Sequence, residues 1–221
     1  MSASLPYRPP PATAVTPIHV DEAMIVVDKP SGLLSVPGRG EDKADCMAAR
    51  VQAVFPDALI VHRLDMSTSG LLLLARGAEA HRRLSHAFQS RRVEKRYLAL
   101  LSGRLKPETG TVDLPLICDW PNRPRQIVDH EIGKPSTTHW RVLGYDAAND
   151  CTRVELEPVT GRSHQLRVHM QALGHPILGD ELYASAQDRD RAPRLLLHAS
   201  LLALAHPFDG RPLEFRSAPD F

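Results

Sequence analysis

Apolar residues along this chain switch between an alternating pattern and a helical one without settling into a strand–helix–strand repeat, and this limits the fold more than any other feature. A regular repeat would demand helices crossing over a parallel sheet. Its absence points to an α+β fold with a mixed, mostly antiparallel central sheet flanked by helices and loops. Strands are expected over residues 18–28, 61–65, 71–75, 96–101, 195–203 and 213–215, with a hairpin over 138–143 and 151–157. Helices are expected over 45–55, 78–91 and 164–173, the last with Ser163 as N-cap and Gly174 just past its end. Residues 104–137 read as short strands among Pro-rich loops. Five of the 19 prolines fall in the first 17 residues. Proline fixes φ and removes a backbone donor, so 1–17 reads as an extended arm and 18–221 as a single domain.

With 43% apolar and 24% charged residues, the chain has the balance of an ordinary soluble globule. Its longest apolar stretch, 195–205, is interrupted by His198 and Ser200 and falls short of the roughly 20 residues a membrane span needs. The N-terminus is polar and Pro-rich, unlike a secretory leader. Cys46, Cys118 and Cys151 are odd in number and far apart, which suggests a reducing, cytoplasmic setting and no disulfide framework. The net charge is only +1, yet residues 76–106 hold nine Lys or Arg and two acids. Such an excess attracts a phosphate backbone. It also fits a solvated helix face, and charge alone leaves both readings open.

The candidate chemistry centres on Asp65. Placed at a strand end beside Arg63, it suits either a structural ion pair or an ionised carboxylate acting as nucleophile or base. Other segments favour RNA. Tyr97, two residues after Lys95, offers an aromatic face next to cations, as unpaired bases require. Arg83 and Arg92 supply further positive charge. The loop 121–126 carries Arg123 and Arg125 in a basic, rigid setting. Arg162, His164 and Arg167 gather at a helix start, where anions bind, and His164, Arg167 and Gln171 share a face by spacing. So many polar groups on one short helix are hard to explain by burial alone. Eleven histidines raise the question of a metal, but His164, His169 and His175 give no i, i+4 pair and no H-E-x-x-H occurs. No metal is expected. Without a P-loop or Rossmann fingerprint, no nucleotide cofactor is expected either.

The run His62-Arg63-Leu64-Asp65-Met66-Ser67-Thr68-Ser69-Gly70 resembles the H-R-L-D-x-x-T-S-G signature of the RluA family of pseudouridine synthases. Further family blocks match in order: Asp28 to Gly32, Lys95 to Tyr97, Gly161 to His169, Gly174 to Asp180 and Leu197 to Ala199. Asp28 stands where many members have Asn. The resemblance runs from about residue 18 to the end, and includes blocks at 33–39 and 115–124 similar to short members that lack an S4-type RNA-binding domain. It implies a cofactor-free, monomeric isomerase acting on two RNAs, a 23S rRNA hairpin and a tRNA anticodon stem-loop. It also implies that Asp65 is the catalytic aspartate, that Arg63 helps open the RNA loop, that Tyr97 stacks on the target uracil, and that Arg167 pairs with the aspartate. Attack of Asp65 on C1′ and proton removal from C2′ both remain open. A non-catalytic RNA-binding protein and a glycoside hydrolase are the other classes. The second of these usually needs two carboxylates about 5–9 Å apart, and no second acid accompanies Asp65 in the motif.

Overall fold

The structure is a computed structural model that describes residues 7–221. In chain order its elements are β1 (His19–Val20), β2 (Met24–Lys29), α1 (Met47–Gln52), β3 (Ala58–Ile60), β4 (Ser69–Arg76), α2 (Gly77–Gln89), β5 (Glu94–Ser102), β6 (Thr109–Asp113), β7 (Leu116–Cys118), β8 (Gln126–Val128), β9 (Thr137–Asp146), β10 (Cys151–Pro158), α3 (Gln165–Ala172), α4 (Ala186–Arg189), β11 (Leu197–Ala205) and β12 (Pro212–Arg216). Short 3-10 turns cover Glu41–Lys43 and Trp120–Asn122. The strands pair mostly antiparallel, as the α+β reading expects. Two compact units emerge. One contains the described residues up to Val93 with Ala203–Ser217, the other Glu94–Leu202 with Ala218–Phe221.

In the first unit β2 lies between β1 and β4, and β3 pairs with the end of β4. Seven of the eight β4 residues are buried, which accounts for the unbroken apolar run 71–75. The strand expected over 18–28 is interrupted because Asp21 Oδ1 accepts from the Ala23 and Met24 N–H groups, at 2.8 and 2.9 Å. This turn drains two donors from the ladder. The helix expected over 45–55 is shorter. Cys46 caps α1 through Sγ, and the Met47 and Ala48 N–H groups donate to Leu34 and Ser35 carbonyls. Helix α2 buries Ala80 and Leu84.

The arm begins outside the described residues. From Tyr7 onward it forms no strand but docks on this unit: the Tyr7 hydroxyl donates to Asp45 O and accepts from Leu34 N, while Arg50 donates to the Pro10 and Pro11 carbonyls.

In the second unit β10 pairs with β5 on one edge and β9 on the other, and β6 extends the set beyond β9. The expected hairpin is therefore present as β9–β10, with a bulge at Arg153/Val154. Strands β7 and β8 pair separately. The core gathers Leu101, Val154, Leu156, Met170 and Ile177, with Tyr97 packed at its margin. Helix α3 ends in the expected manner. Gly174, at φ +81°, donates to Gln171 O while His175 N donates to Met170 O, a Schellman pair that a residue with a Cβ would strain. Its start differs: His164, at φ 55°, occupies the N-cap in place of Ser163 and gives no side-chain cap.

Candidate active site

Asp65 does not lie on a strand. Residues 61–68 form an irregular loop between β3 and β4, so same-face strand geometry does not relate Arg63 to Asp65. Arg63 is exposed and Asp65 half-buried. The loop is ordered by side chains instead of a ladder. Ser35 Oγ donates to Leu64 O at 2.7 Å and accepts from Leu64 N at 3.0 Å. Ser31 Oγ donates to Ser67 O, and Gly32 N donates to Met66 O. The Thr68 N–H closes a turn onto Asp65 O. Upstream, His62 Nε2 accepts from Leu73 N, and its ring stacks on Phe88 at 4.5 Å. The loop that carries Asp65 is thus anchored on both sides of the aspartate by residues 31–35.

Lys29 completes that anchor, a role that its place in the Asp28 to Gly32 block did not predict. Its side chain is fully buried. Nζ donates to Leu33 O at 2.7 Å, Pro30 O at 2.9 Å and Met66 O at 3.1 Å. Burial pushes the ammonium down to about 7, while the negative charges of Asp65 and Asp28 pull it back up. Three carbonyl acceptors match the three N–H groups of an ammonium, where an amine supplies two. The geometry is therefore that of the charged form. It sets a buried cation under the loop of a carboxylate.

In the second unit Arg167 is held by a fully buried carboxylate. Its Nε and Nη2 donate to the two oxygens of Asp180, both at 2.7 Å. Asp180 Oδ1 also accepts from the Leu182 and Tyr183 N–H groups. A two-pronged contact of this kind fixes the guanidinium plane. The Tyr183 ring lies 5.0 Å from Arg167 and 5.5 Å from Arg125. Its hydroxyl accepts from Gln126 N and bonds His164 Nδ1, both at 2.7 Å. Arg125, His164 and Arg167 thus converge on Tyr183. Next to Asp180, Gly179 lets the backbone pass close to Arg194, since a Cβ there would sit 1.8 Å from Arg194 O.

The shared polar face predicted for α3 is not formed: Arg167 is buried, His164 half-buried and Gln171 exposed. Gln165 and His169 are buried for structural reasons. Gln165 accepts from the Thr160 hydroxyl and Arg162 N and donates to Thr137 O and Thr138 Oγ1. His169 Nε2 donates to Leu114 O, so its Nδ1 accepts from Thr138. Burial lowers its pKa, opposed by the bond to Leu114.

Several of the expected RNA contacts already have protein partners. Arg83 Nε donates to Glu79 at 2.6 Å, its Nη1 donates to Pro207 O, and the group lies over Phe208. Arg82 shares Glu79, and together they lower its carboxyl to about 2. Arg92 Nε donates to Ser90. Arg123 is exposed over Trp120, itself 65% exposed, at 4.9 Å. Exposed Arg162 donates to Pro135 O. Lys95 and Tyr97 are half-buried on β5, where Tyr97 registers against Leu156.

Comparison with known proteins places this arrangement in a family. Residues 23–172 match the model of the RNA pseudouridylate synthases, and the chain belongs to that family. It is an RNA pseudouridine synthase, an isomerase. The chain is 52% identical to the dual-specificity RNA pseudouridine synthase RluA of Escherichia coli K12 over 97% of its length and 98% of that protein. It is 47% identical to the protein of the same name from Haemophilus ducreyi, over 99% and 100% of the two chains. Among solved structures it is similar to human RNA pseudouridylate synthase domain containing 1, with a TM-score of 0.78 and 32% identity, covering 96% of this chain and 87% of that one.

Proposed function

We propose that this pseudouridine synthase has dual specificity, modifying a uridine in a 23S rRNA hairpin and one in the tRNA anticodon stem-loop, at the second base before the anticodon. The similarity to proteins named as dual-specificity synthases supports the pair of substrates. The reading includes a single catalytic domain over 18–221 behind a Pro-rich arm, working as a cytoplasmic monomer without cofactor.

The observation that carries the site assignment is the anchoring of the Asp65 loop by Lys29, Ser31, Gly32 and Ser35. A group that must meet a sugar carbon or its proton within hydrogen-bond reach needs a fixed backbone. The isomerisation breaks the N1–C1′ bond, turns the uracil and rejoins it through C5. Asp65 serves either as the nucleophile at C1′ or as the base at C2′. Tyr97 stacks on the uracil, Arg63 holds the opened loop, and Arg167 is the catalytic arginine, set by Asp180. Lys95, Arg83, Arg92, Arg123, Arg125, Arg162 and His164 bind the surrounding RNA. A hairpin suits this chemistry, because unstacking a loop base costs only a few kcal/mol, less than in a duplex.

Pseudouridine mapping of total RNA from a strain lacking this protein tests the proposal. Loss of one site in 23S rRNA and one in the anticodon loop is expected. Loss in only one RNA class would reject dual specificity.

A further inference from the structure

Away from Asp65, at the opposite end of β2 from Lys29, the first unit holds a histidine whose state nothing above explains. His206 follows β11 and has no exposed side-chain surface, yet its Nε2 has no hydrogen-bond partner. Its other nitrogen, Nδ1, lies 2.9 Å from Asp209 Oδ1. The Asp209 N–H also approaches Nδ1, at 3.5 Å. Nε2 faces two carboxylates, Asp21 Oδ2 at 3.5 Å and Glu22 Oε1 at 3.7 Å. A fully buried imidazole nitrogen left without a hydrogen bond beside two carboxylates is a state that native structures rarely leave uncompensated.

We propose that His206, Asp21 and Glu22 bind a divalent transition-metal ion of the zinc class. The two separations are long for hydrogen bonds. They are close to the spacing of about 3.4 Å between two ligands in a tetrahedral shell with metal–ligand bonds of roughly 2.0–2.1 Å. All three ligand atoms lie within 4.8 Å of one another. The outer partners suit a metal ligand as well. Asp209 orients the His206 ring from behind, as carboxylates do for metal-bound imidazoles. The Ala23 and Met24 N–H groups fix Asp21 by Oδ1, turning Oδ2 towards His206. Glu22 is 68% exposed, giving an entering ion a path from solvent and a ligand that can swing onto it.

His19 Nε2, 2.8 Å from Asp21 Oδ2, stands next to the site, as does Arg211, 3.4 Å from the same oxygen. Among the described residues, Arg211 and, when protonated, His19 are set against the three acids Asp21, Glu22 and Asp209, so the local balance favours a positive ion. An imidazole among the ligands selects zinc, nickel or cobalt over magnesium or calcium. Such an ion would clip the turn before β2 to the turn after β11. The ligands come from opposite ends of the chain, which is why no spacing in the sequence announces them.

The test uses the full chain after chelation, titrated with Co²⁺ and then Zn²⁺. Expected is one equivalent of Co²⁺ with tetrahedral visible bands and no thiolate charge transfer in the near ultraviolet, displaced by Zn²⁺. Glu22→Gln, at an exposed position that leaves folding intact by circular dichroism, should weaken Co²⁺ binding at least about tenfold. His206→Gln should remove the bands. Absence of saturable binding, or binding that Glu22→Gln leaves unchanged, would overturn the site. Thiolate charge-transfer bands would do so too, because they would assign the ion to a cysteine.

Discussion

The Lys29 ammonium donates to the carbonyl of Met66, the residue after Asp65, at 3.1 Å. A cation buried under the loop thereby sets the backbone of the proposed catalytic carboxylate, and the same ammonium feels the charge of Asp65. Structure and chemistry are joined at this residue, so its removal should affect both.

Replacing Lys29 with Met keeps the volume and strips donors from three buried carbonyls. An unsatisfied buried acceptor costs about 1–3 kcal/mol, and partial relaxation leaves an expected loss of roughly 2–4 kcal/mol in all. Denaturant unfolding measures it. Turnover should fall at temperatures where the variant is still folded, because Met66 O then keeps only the bond from Gly32 N. Unchanged turnover in the folded variant would remove Lys29 from the positioning of Asp65.

Asp180→Ala removes the carboxylate that the buried Arg167 Nε and Nη2 groups bond. Losing one partner of a buried pair costs about 3–5 kcal/mol, so the variant should unfold at clearly lower denaturant. Arg167→Lys should fail to restore the two-pronged contact, because an ammonium is a point donor. Wild-type stability in Asp180→Ala would show that the pair does not organise α3.

Arg123 and Arg83 should part company in RNA binding. Arg123 is exposed over Trp120, whereas Arg83 is engaged by Glu79 and the Pro207 carbonyl. Arg123→Ala should weaken binding of a hairpin RNA and lower the salt slope by about 0.7–0.9 per lost phosphate contact. Arg83→Ala should change the slope less. The reverse order in a filter-binding salt series would place the RNA along α2.

His169 gives the fold a dependence on acid. Its folded pKa lies below the ordinary histidine value, so the unfolded chain takes up its proton first as pH falls. Stability from this group is complete above about 6.5 and is lost on descent through the folded value. Thermal midpoints at neutral and mildly acidic pH should therefore fall further in wild type than in His169→Gln. Equal drops would mean that the protein tolerates a charged His169.

Much of this was legible in the residues. The apolar run of β4, the hairpin β9–β10, α2 and the Gly174 stop are each set by local pattern. The nine-residue signature singles out the loop around Asp65 but not its conformation. Alternating Val61, Arg63 and Asp65 imitate a strand, whereas the backbone groups there bond to side chains from 29–35. Helix α3 misled for a related reason. The spacing of His164, Arg167 and Gln171 reads as one polar face, yet Arg167 is buried on Asp180, thirteen residues away, while Gln171 is exposed. Lys29, Asp180 and His206 each owe part of their state to a distant partner, Met66, Arg167 and Asp21 in turn, that no local window contains.

Asp65→Asn is the most direct measurement. The variant keeps the loop anchors, which use backbone atoms at 64, 66 and 67, and removes only the carboxylate charge. With purified variant and hairpin RNA substrates, no pseudouridine should form while RNA binding stays near wild type. Turnover retained in a folded Asp65→Asn protein would contradict the role assigned to Asp65.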